Sequence, residues 1–197
     1  PYGSEVKEPP ANIDVLHRIG LEPGSYFLFV GRFIPDKGIH LLTEAFRKTD
    51  TKIKLVLIGG SPNPSDYEIA VKSTDDDRII FPGYIYGDDT NILMKNAYAY
   101  VQPSLIEGLS PVILTVMALG TPLLCSDIKE NTFITKDNAI TFESGSIESL
   151  AGKLKYLLAE PERIREKATA GRVDVKGRFN WENITDLYID LFQKRTV

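Results

Sequence analysis

Arg32, Lys37 and Glu107 are the residues whose types and surroundings could hold a doubly charged anion. The two cations follow the apolar run Tyr26-Phe27-Leu28-Phe29-Val30, with Gly31 ahead of them and Pro35-Asp36-Lys37-Gly38 leading into a helical pattern. Arg32 brings a planar fork of donors and Lys37 a mobile point charge, a pair suited to neutralising a diphosphate from one side. Far downstream, Gln102-Pro103-Ser104-Leu105-Ile106-Glu107-Gly108-Leu109-Ser110-Pro111 turns a buried strand into a helix and delivers a carboxylate and a glycine to that turn. A helix start, expected near Leu109, exposes unpaired N–H groups and the positive end of a dipole, which favours phosphate. Gly108 lets a ligand approach the backbone with no Cβ in the way. Each element alone has a plainer explanation: Gly-Arg after a strand is often only a turn, and a carboxylate at a helix start gains about 0.3–1 kcal/mol from the dipole. It is their combination that points to a diphosphate.

The elements that must position these groups are legible in the hydrophobic pattern. Short apolar strands at 26–31, 53–58, 78–81, 98–102, 122–125 and 139–142 alternate with helical segments near 38–48, 66–72, 89–96 and 110–119, followed by 147–159, 161–175 and 181–194. Such alternation predicts an α/β fold, a Rossmann-like doubly wound parallel sheet of about six strands flanked by helices. In that topology strands one and four become neighbours, and ligands bind at their C-terminal ends. The loops holding Gly31, Arg32 and Lys37 and holding Glu107 and Gly108 therefore converge at the switch point. Residues 1–25, rich in Gly and Pro around a short helical pattern at 13–19, read as an interdomain linker. Residues 26–178 read as the binding domain and 179–197 as a final helix. Gly59-Gly60-Ser61 and Gly83-Tyr84 add loops at the same sheet edge, where Tyr84 or Ile85 either borders a nucleobase or packs on the surface.

Composition excludes several function classes. At 197 residues with net charge −4, the chain suits one α/β domain and has no broad basic field, so no nucleic-acid partner is expected. Cys125, the single cysteine, sits in the apolar run Pro122-Leu123-Leu124 and reads as a small core residue; His17 and His40 show no zinc spacing. His40 reads as a surface or packing residue and Asp75-Asp76-Asp77 as a solvated turn before a strand. No metal and no cofactor are expected. No apolar run reaches the ~18 residues of a membrane span, and the expected location is cytoplasmic, with any peripheral membrane contact left to another domain. Gly-x-Gly-x-x-Gly after the first strand and Gly-Lys-Ser/Thr are both absent, which disfavours dinucleotide and Walker-type sites.

Phe29-Val30-Gly31-Arg32-Phe33-Ile34-Pro35-Asp36-Lys37-Gly38-Ile39, Val101 to Gly108 and Ala118-Leu119-Gly120-Thr121-Pro122, in this order, resemble the C-terminal, donor-binding domain of GT-B glycosyltransferases of the retaining family 4. Phe179-Asn180-Trp181-Glu182 resembles the start of that family's last helix, which crosses back to an N-terminal domain. Pro1-Tyr2-Gly3 resembles its interdomain segment, with similarity to bacterial rhamnosyltransferase-like enzymes of surface polysaccharide. The resemblance implies that Arg32 and Lys37 hold the donor diphosphate and stabilise its charge as the glycosidic bond breaks. It assigns Glu107 to hydroxyls of the donor sugar, and places Gly31, Gly108, Leu109 and Ser110 in the nucleotide-sugar site, without a divalent metal. The implied partners are a nucleotide-sugar donor, an N-terminal acceptor-binding domain, and a glycan or lipid-linked acceptor. The chain alone would then turn over little.

This sequence departs from the family pattern at Thr115, where a second glutamate would stand about 12 Å along a helix at ~1.5 Å per residue and meet the ribose. A threonine can hydrogen-bond ribose but is not a charged acceptor for two hydroxyls, so nucleotide affinity falls by roughly 1–2 kcal/mol. Restoring the carboxylate with Thr115→Glu is expected to tighten binding of a uridine or related nucleotide. Lys129 and Glu130, where the family often has paired glycines, are a second departure. Two other readings stay open: a non-catalytic nucleotide-sugar-binding or regulatory module, and a GT-B nucleotide-sugar epimerase.

Overall fold

Tyr26–Arg32 forms the first strand, β1, and its first four residues, Tyr26 to Phe29, are completely buried. A continuous apolar run of this kind is what a parallel strand covered on both faces requires. The computed structural model describes residues 8–61 and 63–194, so residues 1–7 of the expected linker, including Pro1-Tyr2-Gly3, and 195–197 of the final segment lie outside the described residues. Around β1 the sheet adds β2 (Lys54–Gly60), β3 (Ile79–Gly83), β4 (Ala99–Gln102), β5 (Leu123–Ser126) and β6 (Ile140–Phe142), in the order β3-β2-β1-β4-β5-β6. Every pairing is parallel. The chain reverses its direction of growth between β1 and β4, as the doubly wound reading requires.

The alternation of side chains across β1 assigns them to two cores. Phe27 and Phe29 pack with Ile39, Leu42 and Phe46 of α2 (Ile39–Arg47) and with Leu150 and Leu154 of α7 (Ile147–Ala159). Tyr26 and Leu28 pack on the other face with Ile92 and Leu93 of α4 (Asp88–Asn96) and Ile113 and Leu114 of α5 (Pro111–Leu119). Each such fully buried side chain contributes about 1.5–3 kcal/mol relative to exposure. Residues 13–21 also contribute: Val15 and Leu16 of α1 (Asp14–Arg18), with Leu21, are buried in the second core.

Several boundaries differ from the expected ones. The helix expected near Leu109 begins at Pro111, whose missing N–H and fixed φ suit a first helical position while disfavouring helix at the residue before it. Lys129–Thr135 forms α6, read as loop from its sequence because it is only seven residues long and its N-cap, Ile128, offers no side-chain cap. α8 (Pro161–Arg178) extends three residues past its expected end, where Arg178 pairs with Asp174 one turn back. At α7 the expected signal holds, since Ser146 accepts a hydrogen bond from the Ser149 N–H at 3.2 Å. α3 (Asp66–Lys72) and α9 (Trp181–Lys194) complete the helices. No helix among the described residues is long and apolar enough to cross a membrane.

Cys125 is fully buried in β5, and burial pushes its thiol up to about 12. Because the thiolate is the reactive form, native protein at pH 8 is expected to resist iodoacetamide and to react at once in denaturant. Fast labelling of native protein would contradict this placement. Asp76 is held by Arg78 through Nε at 2.9 Å and Nη2 at 2.7 Å, which makes the Asp75–Asp77 turn a structural clamp.

Candidate functional site

Beyond β1 the chain anchors itself with Phe33, fully buried against Phe29 and Phe81, before a 3-10 turn at Pro35–Lys37. Gly38 closes that turn with φ of +65°, and a Cβ there would lie 2.1 Å from the Pro103 carbonyl oxygen. Only glycine allows both the left-handed backbone and this approach. The contact brings the β1–α2 loop against the β4–α5 loop, and the Leu105 N–H donates to the Asp36 carbonyl at 2.8 Å.

Lys37 meets Glu107 across this seam, Nζ to Oε1 at 2.5 Å. Gln102 Nε2 and Ser104 Oγ donate to the same oxygen at 2.6 and 2.7 Å. Glu107 Oε1 thus has three donors, while its other oxygen, Oε2, has no protein partner among the described residues. The carboxylate side chain is only 9% exposed, so its orientation is fixed. Glu107 is therefore held by side chains from the β1–α2 turn, the end of β4 and the β4–α5 loop, not by the helix start four residues on.

Behind Glu107 the network reaches β1. Tyr100, completely buried, accepts from the Val30 N–H at 3.2 Å, and its hydroxyl lies 3.1 Å from the Val30 carbonyl and 3.2 Å from Gln102 Oε1. Burial raises its phenol well above the ordinary range, so it stays neutral. Tyr100→Phe strips these partners, and urea unfolding is expected to show a loss of about 1–3 kcal/mol. An unchanged midpoint would mean the hydroxyl carries no such weight. Tyr100, Gln102 and Ser104 were given no role from sequence. Their period of two along a strand end, polar residues on a single face, is the signal that could have found them.

Arg32 is placed differently. It is exposed, makes no side-chain hydrogen bond or ion pair among the described residues, and lines a cavity of about 520 Å³ at the C-terminal edge of β1 and β2. Gly31, Gly59 and Gly60 border this cavity, with Tyr84, Ile85, Met94 and Val112 among its walls. Tyr84 and Tyr86 stack with ring planes 6° apart. Tyr84 and Ile85 both border the cavity, and Tyr84 is also half-exposed on the surface. Gly59, at φ of +122°, would bring a Cβ to 2.0 Å from the Gly31 carbonyl oxygen, so the cavity border depends on a bare backbone. The buried carboxylate of Glu68 accepts from the Ser61 N–H at 2.8 Å and from Lys72 at 2.6 Å and pins that border. Burial alone would raise Glu68, but these donors outweigh it and hold it below the ordinary carboxylate range.

The remaining expected residues fall in two places. Gly108 and Leu109 line a separate recess of about 260 Å³ with Lys129, Glu130 and Phe133. Ser110 is the buried N-cap of α5 and makes no side-chain cap bond, leaving the start of that helix without a side-chain cap. Thr115 turns its hydroxyl to the Pro111 carbonyl at 3.0 Å. His40 packs beside Tyr67, Nδ1 to the phenol oxygen at 2.9 Å, in a groove between α2 and α3.

A profile of the glycosyl transferases group 1 matches residues 18–173 of this chain. The chain belongs to that family. O-antigen chain mannosyltransferase B of Escherichia coli is 25% identical over 193 residues, covering 95% of this chain and 50% of the enzyme. The lipopolysaccharide core biosynthesis glycosyltransferase LpsE of Rhizobium meliloti is 27% identical over 84% of this chain and 49% of its own length. Sucrose-phosphate synthase of Thermosynechococcus elongatus superposes with a TM-score of 0.82 at 27% identity, over 98% of this chain and 52% of that structure. Anabaena HepE in complex with UDP and glucose gives 0.85 at 18% identity, over 95% and 53%, a likeness of fold. This group 1 chain spans about half the length of the relatives it matches.

Proposed function

We propose that this chain is the donor-binding half of a retaining glycosyltransferase that moves a sugar from a nucleoside-diphosphate sugar to a glycan or lipid-linked acceptor. The observation that carries this reading is the fixed Lys37–Glu107 pair joining the loops after β1 and β4, with an unpaired Arg32 at the end of the same β1 strand. Arg32 and the free N–H donors of Lys37 hold the diphosphate, with backbone N–H groups between Gly108 and the start of α5 opposite them. Fixed donors aimed at charge that develops on the leaving diphosphate lower the barrier to cleavage of the glycosidic bond. Glu107 offers Oε2 to hydroxyls of the donor sugar while Oε1 stays committed to the protein. The reading requires no divalent metal, because cations and backbone dipoles take the charge. Trp181, Leu187, Ile189 and Leu191 of α9 are exposed, which supports a second, acceptor-binding domain as the partner.

Thr115 favours one other reading, a module that binds nucleotide without turnover, since a neutral hydroxyl stands there in place of a carboxylate. Calorimetry with UDP, GDP, the corresponding nucleosides and inorganic phosphate tests the site, with and without EDTA. A nucleoside diphosphate should bind at least tenfold tighter than nucleoside or phosphate alone, about 1.4 kcal/mol, and EDTA should change nothing. Diphosphates that bind no better than phosphate would overturn the donor reading. Transfer by the longer polypeptide then separates enzyme from binding module.

A further inference from the structure

The chain carries a net charge of −4, yet positive charge gathers at the β6 edge of its sheet. A cavity of about 410 Å³ there is lined by Lys136, Lys153, Arg163 and Lys167, against a single acidic residue, Asp137. β6 stands two strands beyond β4, and the cavity takes in Ala139, Ile140 and Thr141 at the entry of that strand, not the C-terminal edge where Arg32 and Glu107 stand. Two of the cations are uncommitted. Arg163, in the first turn of α8, makes no side-chain hydrogen bond or ion pair among the described residues, and Lys153 of α7 meets only the face of Tyr156, 5.8 Å from its ring centroid. Lys167 donates to the Asp137 carbonyl, which fixes its ammonium at the cavity and leaves it two further N–H donors. Lys136 lies 3.5 Å from Asp174, a carboxylate that Arg178 Nε already engages at 2.9 Å on both oxygens.

The backbone adds an independent observation. Lys136 is the one non-glycine residue with positive φ among the described residues, at +48° with ψ of −128°. Glycine holds such a backbone at less cost, and a strained residue at a ligand clamp persists because its side chain is needed there. Lysines beside an edge strand also discourage pairing with another sheet, but that service asks for charge alone, not for a lysine in a conformation suited to glycine. We propose that this cavity is a second anion site, which takes a phosphate-bearing group between α7 and the start of α8, apart from the donor crevice. Converging ammonium and guanidinium groups repel one another until an anion sits between them, and a phosphate offers acceptor oxygens to all of them at once. A soluble phosphate compound and the headgroup of an anionic lipid both present this chemistry.

Amide resonances of Thr141, Lys153 and Arg163 in the isotope-labelled chain report this cavity, and those of Gly31 and Gly108 report the donor crevice in the same spectra. Titration with inorganic pyrophosphate is expected to shift the first set along a saturating curve, where sodium chloride of equal ionic strength does not. Lys153→Gln combined with Arg163→Gln is expected to weaken that binding by about tenfold or more and to leave the response of the second set unchanged. Lys136→Gly is expected to weaken it by about threefold while the thermal midpoint stays level or rises, the opposite of what a purely structural lysine would show. Sedimentation with vesicles then names the source. Pelleting with phosphatidylglycerol and not with phosphatidylcholine, lost in the double variant, identifies a lipid headgroup; pyrophosphate binding without pelleting identifies a soluble phosphate compound. Shifts at the cavity no larger than those from sodium chloride, or undiminished in the double variant, overturn the proposal and leave the donor reading standing. A lower midpoint with undiminished affinity in Lys136→Gly overturns the role given to that lysine.

Discussion

Gly38→Ala lowers the thermal midpoint by about 10 °C. An alanine in the left-handed region costs about 1–2 kcal/mol by itself. At Gly38 the added methyl must also displace the Pro103 carbonyl, which would stand 2.1 Å away, and the loop cannot give without pulling the two site loops apart. A total of about 3–4 kcal/mol follows, and a domain of this size loses about 2–4 °C per kcal/mol. Gly24 supplies the control, with φ of +73° and nothing within 4 Å of the place a methyl group would take, so Gly24→Ala carries only the backbone cost. Equal losses in the two variants would show that the contact with Pro103 is not what makes Gly38 necessary. Because Lys37 precedes Gly38 directly, the loss in this variant extends to the ion pair with Glu107.

Arg32→Ala has the opposite signature: almost no effect on stability and a large one on ligand. The guanidinium is exposed and engages no partner among the described residues, so its removal is expected to change unfolding by less than about 0.5 kcal/mol. Hydrogen bonds to a charged group are worth about 1.5–3 kcal/mol, so the Kd of a nucleoside diphosphate rises about 10–100-fold. The nucleoside alone should bind as before, since the base and sugar contacts are untouched. Lys37→Ala is less clean, because it also removes a donor from a carboxylate that is 9% exposed and so costs stability together with affinity. Titration of Arg32→Ala with UDP and with uridine reads the difference. Wild-type affinity for UDP in this variant would remove the guanidinium from the diphosphate.

Most of the scaffold could be read from the sequence because it is written in long apolar periods. All six strands lie within two residues of their expected bounds, and the adjacency of β1 and β4 follows from alternation alone. What escaped is short or set by contact. α6 has seven residues and no capping side chain, so nothing local announces it. The start of α5 turned on proline chemistry at Pro111 that the apolar pattern ran across. Arg32, Lys37 and Glu107 stand out in the sequence by type and position, but that Lys37 is shared with Glu107 does not. Nor could spacing show that Gln102 and Ser104 converge on one carboxylate oxygen, since that geometry arises only when Pro103 packs on Gly38. The hydroxyl of Thr115 is a similar case: its commitment to Pro111 is a choice of rotamer within the helix.

The proposed function requires one diphosphate to be gripped by Arg32, Lys37 and the backbone ahead of α5. A crystal structure of the chain with a bound nucleoside diphosphate tests it most directly. Phosphate oxygens are expected about 3 Å from the Arg32 guanidinium and from Lys37 Nζ, with the base in the cavity between Tyr84 and Val112. A nucleotide found instead in the groove of His40 and Tyr67, with both cations untouched, would contradict it.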